Sequence, residues 1–519
     1  MRVTEFLPVF FIAAIALVSC VDNFEKFNTD ANGIPDDKVD PLTVLKPLQR
    51  RVFEKYQTAQ NLSADAYGGY MMCPTPFMAD YNLNYFLIDS WNRDGFDPAY
   101  VIIMSPILKL AKLGTREKSP DLWAIALIIK VEAMHRVTDK FGPIPYSQVG
   151  VSQNATPYDS QHDVYKQFFH ELDTAVNNLK AYVKDHPGET PFSEFDLSFK
   201  GDYTKWIKFA NSLRLRLAMH IVKADPGLAK IEGEKALTDN IGLMSDPGDD
   251  IAIATTNGKS DLYQMTHDWD DNRINASIVS YLVGFNDPRL PVFASPATDP
   301  AFPGQYIGIR IGASIASKDT YKTYSSLNTG TTFLEFSPQP VMCAAESWFL
   351  KAEASLRKWN GAGDAGTNYE NGIRTSMTQW KVDIENYLSD DIHSQADYVD
   401  PKNSLNNSSA LSNVTIKWNE NLDNEQKLEK IITQKWIAMF PEGQEAWTEF
   451  RRTGYPKLFP VVNNKSDGQI DTHIQIRRLR YPQNEYNTNK TELNNALELL
   501  GGPDHGGTRL WWDVGGKNF

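Results

Sequence analysis

The chain has 519 residues, 41% of them hydrophobic and 12% aromatic, a composition that excludes a disordered polymer and allows a large buried core. Lysine and arginine total 52 against 65 aspartates and glutamates, giving a formal charge of −13. A surface this acidic repels phosphate backbones, so nucleic acid is excluded as a partner.

The first element is an apolar stretch at residues 6–18 that runs into Leu17-Val18-Ser19-Cys20. It is too short to span a bilayer and long enough for the central region of a secretory signal. Small residues ahead of a cysteine match a bacterial lipobox, although Arg2 is the only cation before the apolar run and Glu5 opposes it. The expectation is a lipoprotein signal peptide over residues 1–19, cleavage after Ser19, and acylation of Cys20 as the mature N-terminus. Several acyl chains on that cysteine give the stable anchoring that one chain does not. The nearest other membrane candidate, residues 122–134, is interrupted by Lys130 and Glu132 and reads as a buried helix. Only Cys73 and Cys343 then remain, too few for a disulfide framework. Cys343 lies in an apolar run and reads as a small core residue.

From about residue 120 onward, helical periodicity dominates the pattern. Leu122, Ile125, Ile129 and Ala133 recur at three- and four-residue spacing, as do Val164, Phe168, Leu172, Ala175 and Leu179. Ser160 and Asp163 mark the capped start of the second stripe. A third stripe through Trp206, Phe209, Leu213, Leu217 and Ile221 ends before Pro226. Ala345, Phe349, Ala352 and Leu356 then line one face of a helix, Gly361 and Gly363 break the chain, and a partner helix is expected over 365–380. Small residues opposite bulky ones in helix-turn-helix units match tetratricopeptide stacking, without a strict period. A last stripe over 425–450 carries Leu428, Ile431, Ile432, Trp436 and Phe440, interrupted near Pro441 and Gly443.

The expected fold class is therefore mainly α, with tetratricopeptide-like helix pairs and few short strands, the helical scaffold spanning about 40–235 and 340–519. Residues 240–340 and 381–425 are rich in Asp, Asn, Ser, Gly and Pro and read as loop insertions, where binding function concentrates. A sugar ring offers C–H faces to an aromatic plane and hydroxyls to amides and carboxylates. On that chemistry the candidate ligand residues are Trp269, Tyr306, Tyr321 and Tyr324, the polar pair Asn272 and Arg273, and the earlier aromatics Tyr85 and Trp91. No His-Glu-x-x-His run, Gly-x-Ser-x-Gly elbow or phosphate-binding glycine loop occurs, and among so many acidic residues no catalytic pair can be picked out. Asp268, Asp270 and Asp271 lack calcium-loop spacing; no metal or cofactor is expected, and His135 reads as a satisfied helix residue.

Several motifs then fall in a fixed order: Phe24-Glu25-Lys26-Phe27-Asn28-Thr29-Asp30, Asp139-Lys140-Phe141-Gly142-Pro143-Ile144-Pro145-Tyr146, and Gly372-Ile373-Arg374-Thr375-Ser376. After them come Phe450-Arg451-Arg452-Thr453-Gly454-Tyr455-Pro456, Arg477-Arg478-Leu479-Arg480-Tyr481-Pro482 and Leu510-Trp511-Trp512-Asp513. Together with the lipobox, this set resembles the SusD/RagB superfamily of Bacteroidetes outer-membrane lipoproteins over nearly the whole mature chain. The resemblance implies one SusD-like domain over 20–519 with its ligand surface in the inserted loops. It also implies a partner, a SusC-like TonB-dependent transporter to which a captured nutrient, a glycan or a peptide, is delivered without chemistry. A lipid-anchored glycan hydrolase is the competing expectation. The Arg451, Arg452 and Trp447 cluster is expected to be structural, with buried cations paired to carboxylates and stacked on an aromatic.

Overall fold

The computed structural model describes residues 38–519 except 79, 152–154, 256 and 257; the expected signal peptide and Cys20 lie outside the described residues. Among the described residues, the scaffold is carried by nine helices: α1 Pro41–Arg50, α2 Pro120–Phe141, α3 Gln161–Asp185, α4 Tyr203–His220, α5 Pro226–Leu237, α6 Ala344–Leu356, α7 Ala365–Gln379, α8 Asn424–Ala438 and α9 Gly443–Thr453. Helices α2 to α5 pack each on the next, while α6 packs on both α7 and α8, and α4 touches α6 and α9. This is the expected mainly α architecture of stacked helix pairs.

Local chemistry sets the helix ends. Ser160 accepts the Asp163 amide at 3.1 Å to open α3, and Asp423 and Gln426 form a reciprocal capping box at the start of α8. Pro226 does not merely follow α4; it is the first residue of α5, where a missing N–H leaves nothing unsatisfied. Gly361 and Gly363, both at positive φ, turn the chain between α6 and α7. Gly372 lets those two helices approach closely, since a Cβ there would stand 2.7 Å from the Phe349 ring.

The insertions contain short antiparallel ladders rather than a continuous sheet: β1 Met71–Met72 pairs with β3 Arg273–Ile274, β2 Ile251–Ile253 with β6 Gln339–Met342, and β4 Ala294–Ser295 with β5 Ser326–Leu327. Within residues 240–340 the sequence reading missed a helix, Ala276–Gly284, whose first seven residues are all buried. Uniform apolarity leaves such a segment without the 3.6-residue alternation that marks an amphipathic helix. Cys73 and Cys343 are free and buried.

Inside the helical stack lies a network of buried charges. Arg216 of α4 grips Glu346 of α6 through two bonds of 2.8 and 2.6 Å, and Arg452 of α9 spans Glu353 and Glu449. Lys435 of α8 sits 3.2 to 3.5 Å from Glu449, Glu445 and Glu346. His220 faces Glu445 at 3.1 Å and the Tyr165 hydroxyl at 2.9 Å; that hydroxyl and the Trp512 indole both donate to Asp139 at 2.8 Å. His135 lies between Glu132 and Asp139, the satisfied position expected for it. For Glu132 and His220, burial disfavours the charge, yet their partners outweigh it. Glu132 is held near 2 against its burial by His135, Arg136 and Arg216, and His220 is held up at about 9 by Glu445 and Asp139.

Removing one member leaves its partner charged and alone in the interior, a loss of about 3–5 kcal/mol. Glu346→Gln should therefore lower the unfolding free energy by about that much in urea titrations. The raised His220 contributes stability that is complete below its unfolded pKa, about 6.5, and that disappears as pH rises through about 9. The unfolding free energy should fall by about 2–3 kcal/mol across that window, and His220→Gln should flatten the slope.

Candidate ligand-binding site

The β1–β3 ladder sets Met71 opposite Ile274 and Met72 opposite Arg273, which lays the loop at 73–78 beside the loop at 268–272. Trp269 ends a short helical turn, its amide donating to Gln264 at 2.9 Å, and its indole is 43% exposed. Lys318 donates to the Trp269 carbonyl at 2.6 Å and pairs with Asp271 at 2.9 Å. Thr75 donates its hydroxyl to the same Asp271. Three loops are thus tied together under one exposed aromatic ring.

Asn272 and Arg273 are the fastenings of this arrangement. Asn272 is fully buried, donating to Thr266 at 3.1 Å and facing Asn61 at 3.4 Å. Arg273 is buried too, with Nε on the Lys322 carbonyl at 2.9 Å and Nη2 on Asp270 at 2.6 Å. Both position the loop, and neither presents its polar end to solvent.

The expected aromatics separate sharply. Tyr321 and Tyr324 are buried, packed edge to face at 5.0 Å. Tyr321 accepts from Asn406 at 2.9 Å, and Tyr324 donates to Asp400, so both clamp the 295–327 segment onto the 398–408 loop. Tyr306 is half-buried against the core. Tyr85 is buried against Tyr67 at 6.0 Å, and Trp91 is half-buried, edge-on to Phe77 at 5.9 Å and Tyr81 at 6.1 Å. Among the described residues, exposed rings in and beside the insertions include Trp269, Phe86 and Phe336, and beside Phe77 on the 73–78 loop stands Met78 at 74%. Sequence reasoning missed Met78 and Phe86; Pro74 and Pro76 marked the first loop, but nothing in the residue order says which side chain leaves the core.

The polar surroundings are carboxylates and lysines. Asp268 pairs with Lys259 at 2.7 Å and Asp270 with Arg273, so with Asp271 on Lys318 the three acids face three different cations and do not converge. Among the described residues the cluster with metal-ligand spacing is His220, Glu445 and Glu449, and those oxygens already face Arg216 and Lys435. Burial raises the carboxyls of Asp65 and Asp250 to about 7. Asp65 is sealed in the core, and Asp250 accepts the Ala344 amide at the start of α6 at 2.7 Å.

The scaffold is helical, with a partly exposed aromatic, Trp269, on loops tied by ion pairs and hydrogen bonds. The chain belongs to the SusD-like family described as Susd and RagB outer membrane lipoprotein, matched over residues 23–513. Among solved structures it is similar to a chitin-binding SusD homologue from Flavobacterium johnsoniae, with 41% identity, TM-score 0.88, and coverage of 92% of this chain and 100% of that one. SusD homologues from Bacteroides vulgatus and Bacteroides thetaiotaomicron align at 37% and 34% identity, with TM-scores of 0.87 and 0.85. Each alignment covers 92% of this chain, and 98% and 100% of the respective homologue. No curated protein matches the chain significantly. Family membership makes this a nutrient-binding outer-membrane lipoprotein, and among the described residues no helix is long and apolar enough to cross a membrane.

The placements make opposite demands on two substitutions. Tyr324→Phe should cost about 1 kcal/mol of stability, because it removes one buried hydrogen bond to Asp400, whose Oδ1 keeps the Lys402 and Asn403 amides as donors. Trp269→Ala should stay within about 0.5 kcal/mol of the parent, as expected of a surface position. Parallel denaturant titrations of the two variants check both.

Proposed function

We propose that this lipoprotein captures an oligosaccharide at the cell surface, without cleaving it, and hands it to a SusC-like TonB-dependent transporter. The observation that carries the reading is Trp269, a partly exposed residue whose backbone carbonyl is tied by Lys318, itself paired with Asp271, beside carboxylate and ammonium groups. A flat apolar ring flanked by hydrogen-bonding groups suits a pyranose, whose axial C–H bonds pack on the ring while its hydroxyls meet the polar edge. The chitin-binding homologue makes N-acetylglucosamine oligomers the first ligand to try. Met78 adds a second exposed, adaptable apolar side chain on the neighbouring 73–78 loop. The lipobox supports anchoring through acylated Cys20, which leaves the loops free to move against a barrel in the same membrane.

Calorimetry with chitin oligomers, set against a panel of other glycans and mixed peptides, tests this. Saturable binding with no new reducing ends is the expected result, and Trp269→Ala should weaken it by about 1–3 kcal/mol. Steady release of shorter sugars would make the protein a hydrolase, and selective peptide binding would reassign the ligand. Cys20→Ala should move the folded protein from the membrane to the soluble fraction, in cells that lack the transporter as well.

A further inference from the structure

Beyond the C-terminus of α9, where Gly454 adopts φ 79°, the chain encloses a cavity of about 460 Å³. Its walls include Lys223, Arg451, Lys457, His473, Arg477 and Arg509, a concentration of positive charge on a chain whose overall charge is −13. Asp513 is the carboxylate directly paired with this group, and it is shared: Arg477 holds both its oxygens at 2.6 Å, and Arg509 holds one at 2.6 Å. Glu425, the other acid nearby, is engaged by the Tyr455 hydroxyl at 3.0 Å and the Asn518 amide at 2.7 Å.

Arg451, Lys223 and Lys457 make no direct ion pair with a carboxylate among the described residues, although Asp139 and Asp513 lie close enough to favour the charge on Arg451, and Asp513 and Glu425 that on Lys223. Arg451 is buried between the Trp447 and Trp512 rings, 3.6 and 4.8 Å from their centres. Its donors end on the carbonyls of Asp139, Arg477 and Trp447 and on the Thr448 hydroxyl. Lys223 donates only to the Gly516 carbonyl, at 3.2 Å, and the Lys457 ammonium rests over the Tyr455 ring at 4.5 Å. Burial pushes Arg451 down to about 9, with Arg477 adding to the effect, and burial together with Arg452 lowers Lys223. A cavity wall on which cations outnumber the carboxylates that face them attracts an anion. At Gly454 and Gly516 no atom stands within 4 Å of where a Cβ would be, so the entrance is open. Leu411 and Ile474 lie exposed beside it and give one apolar edge.

We propose that this cavity is a binding site for a small oxyanion, a carboxylate or sulfate group, with room for the single sugar ring that carries it. The volume is within the range of small-molecule sites, and paired guanidinium and ammonium groups are the donors that oxyanions select. The residues are distinct from those around Trp269, so the two sites are expected to fill independently.

The test titrates the full-length mature protein with sodium glucuronate, sodium sulfate and glucose by calorimetry at low ionic strength. Glucuronate, sulfate or both should bind saturably while glucose does not; which of them binds tells a sugar acid from a free oxyanion. The double variant Lys223→Gln/Lys457→Gln should weaken that binding at least tenfold, and Trp269→Ala should leave it unchanged. Thermal melting verifies that the double variant is folded, and Arg509→Gln serves in its place if it is not. Absence of saturable anion binding, equal binding of glucose, unchanged affinity in the folded cavity variants, or loss of affinity in Trp269→Ala would each overturn the proposal.

Discussion

The constraint on which this structure rests is that no charge in the helical interior can stand alone. Arg216, Glu346, Lys435, Glu445, Glu449, Arg452 and Glu353 are all almost completely removed from water, and each is tolerable only while its partner, on another helix, is in place. Hydrophobic stripes tell helices to pack, but they permit sliding by a turn. A guanidinium bound through two nitrogens to one carboxylate does not. The pairs Arg216–Glu346 and Arg452–Glu353 fix α4 and α9 against α6, Lys435 brings in α8, and the Glu132, His135 and Asp139 face of α2 closes the set.

Rigidity passes from that interior to the ligand loops through a short chain of contacts. The Trp436 indole of α8 donates to the Gly68 carbonyl at 2.7 Å and stacks on Tyr70 at 5.4 Å. The Tyr70 carbonyl accepts the Asn275 amide at 2.9 Å, immediately after β3. On the other side of β3, Asn272 is held by Asn61 and Thr266. The loop bearing Trp269 therefore hangs from the core, and the residue stays partly exposed on it.

These relations divide what could be read from the residue order from what could not. The stripes through α2, α3, α4, α6 and α8 were legible because each alternates apolar and polar faces at the helical period. Ala276–Gly284 was not, since its first seven residues are buried on all sides and alternate no apolar and polar faces. The ion pairs were illegible for a different reason: Arg216 and Glu346 stand 130 residues apart, and only the tertiary fold brings them together. At the site, Trp269 was legible as an aromatic among polar neighbours, but Tyr321 and Tyr324 carry the same signature. What distinguishes them is a pair of acceptors and donors on the 398–408 loop, Asp400 and Asn406, whose approach no local pattern announces.

The dipeptide Arg451-Arg452 shows how far a motif is from a role. Two identical side chains, adjacent on one helix, point about 100° apart and so meet different surroundings. Arg452 finds Glu353 and Glu449 and becomes a strut of the interior, as expected for the cluster. Arg451 finds two indoles and a ring of carbonyls instead. Carbonyl dipoles and aromatic faces satisfy hydrogen bonding and offer cation–π attraction, but they supply no compensating charge. The sequence expectation of carboxylate pairing thus holds for one arginine and not for its neighbour. That asymmetry, invisible in the repeated letters, leaves Arg451 with nearby carboxylates, Asp139 and Asp513, but no direct ion pair, and makes the end of α9 a surface where cations outnumber their partners.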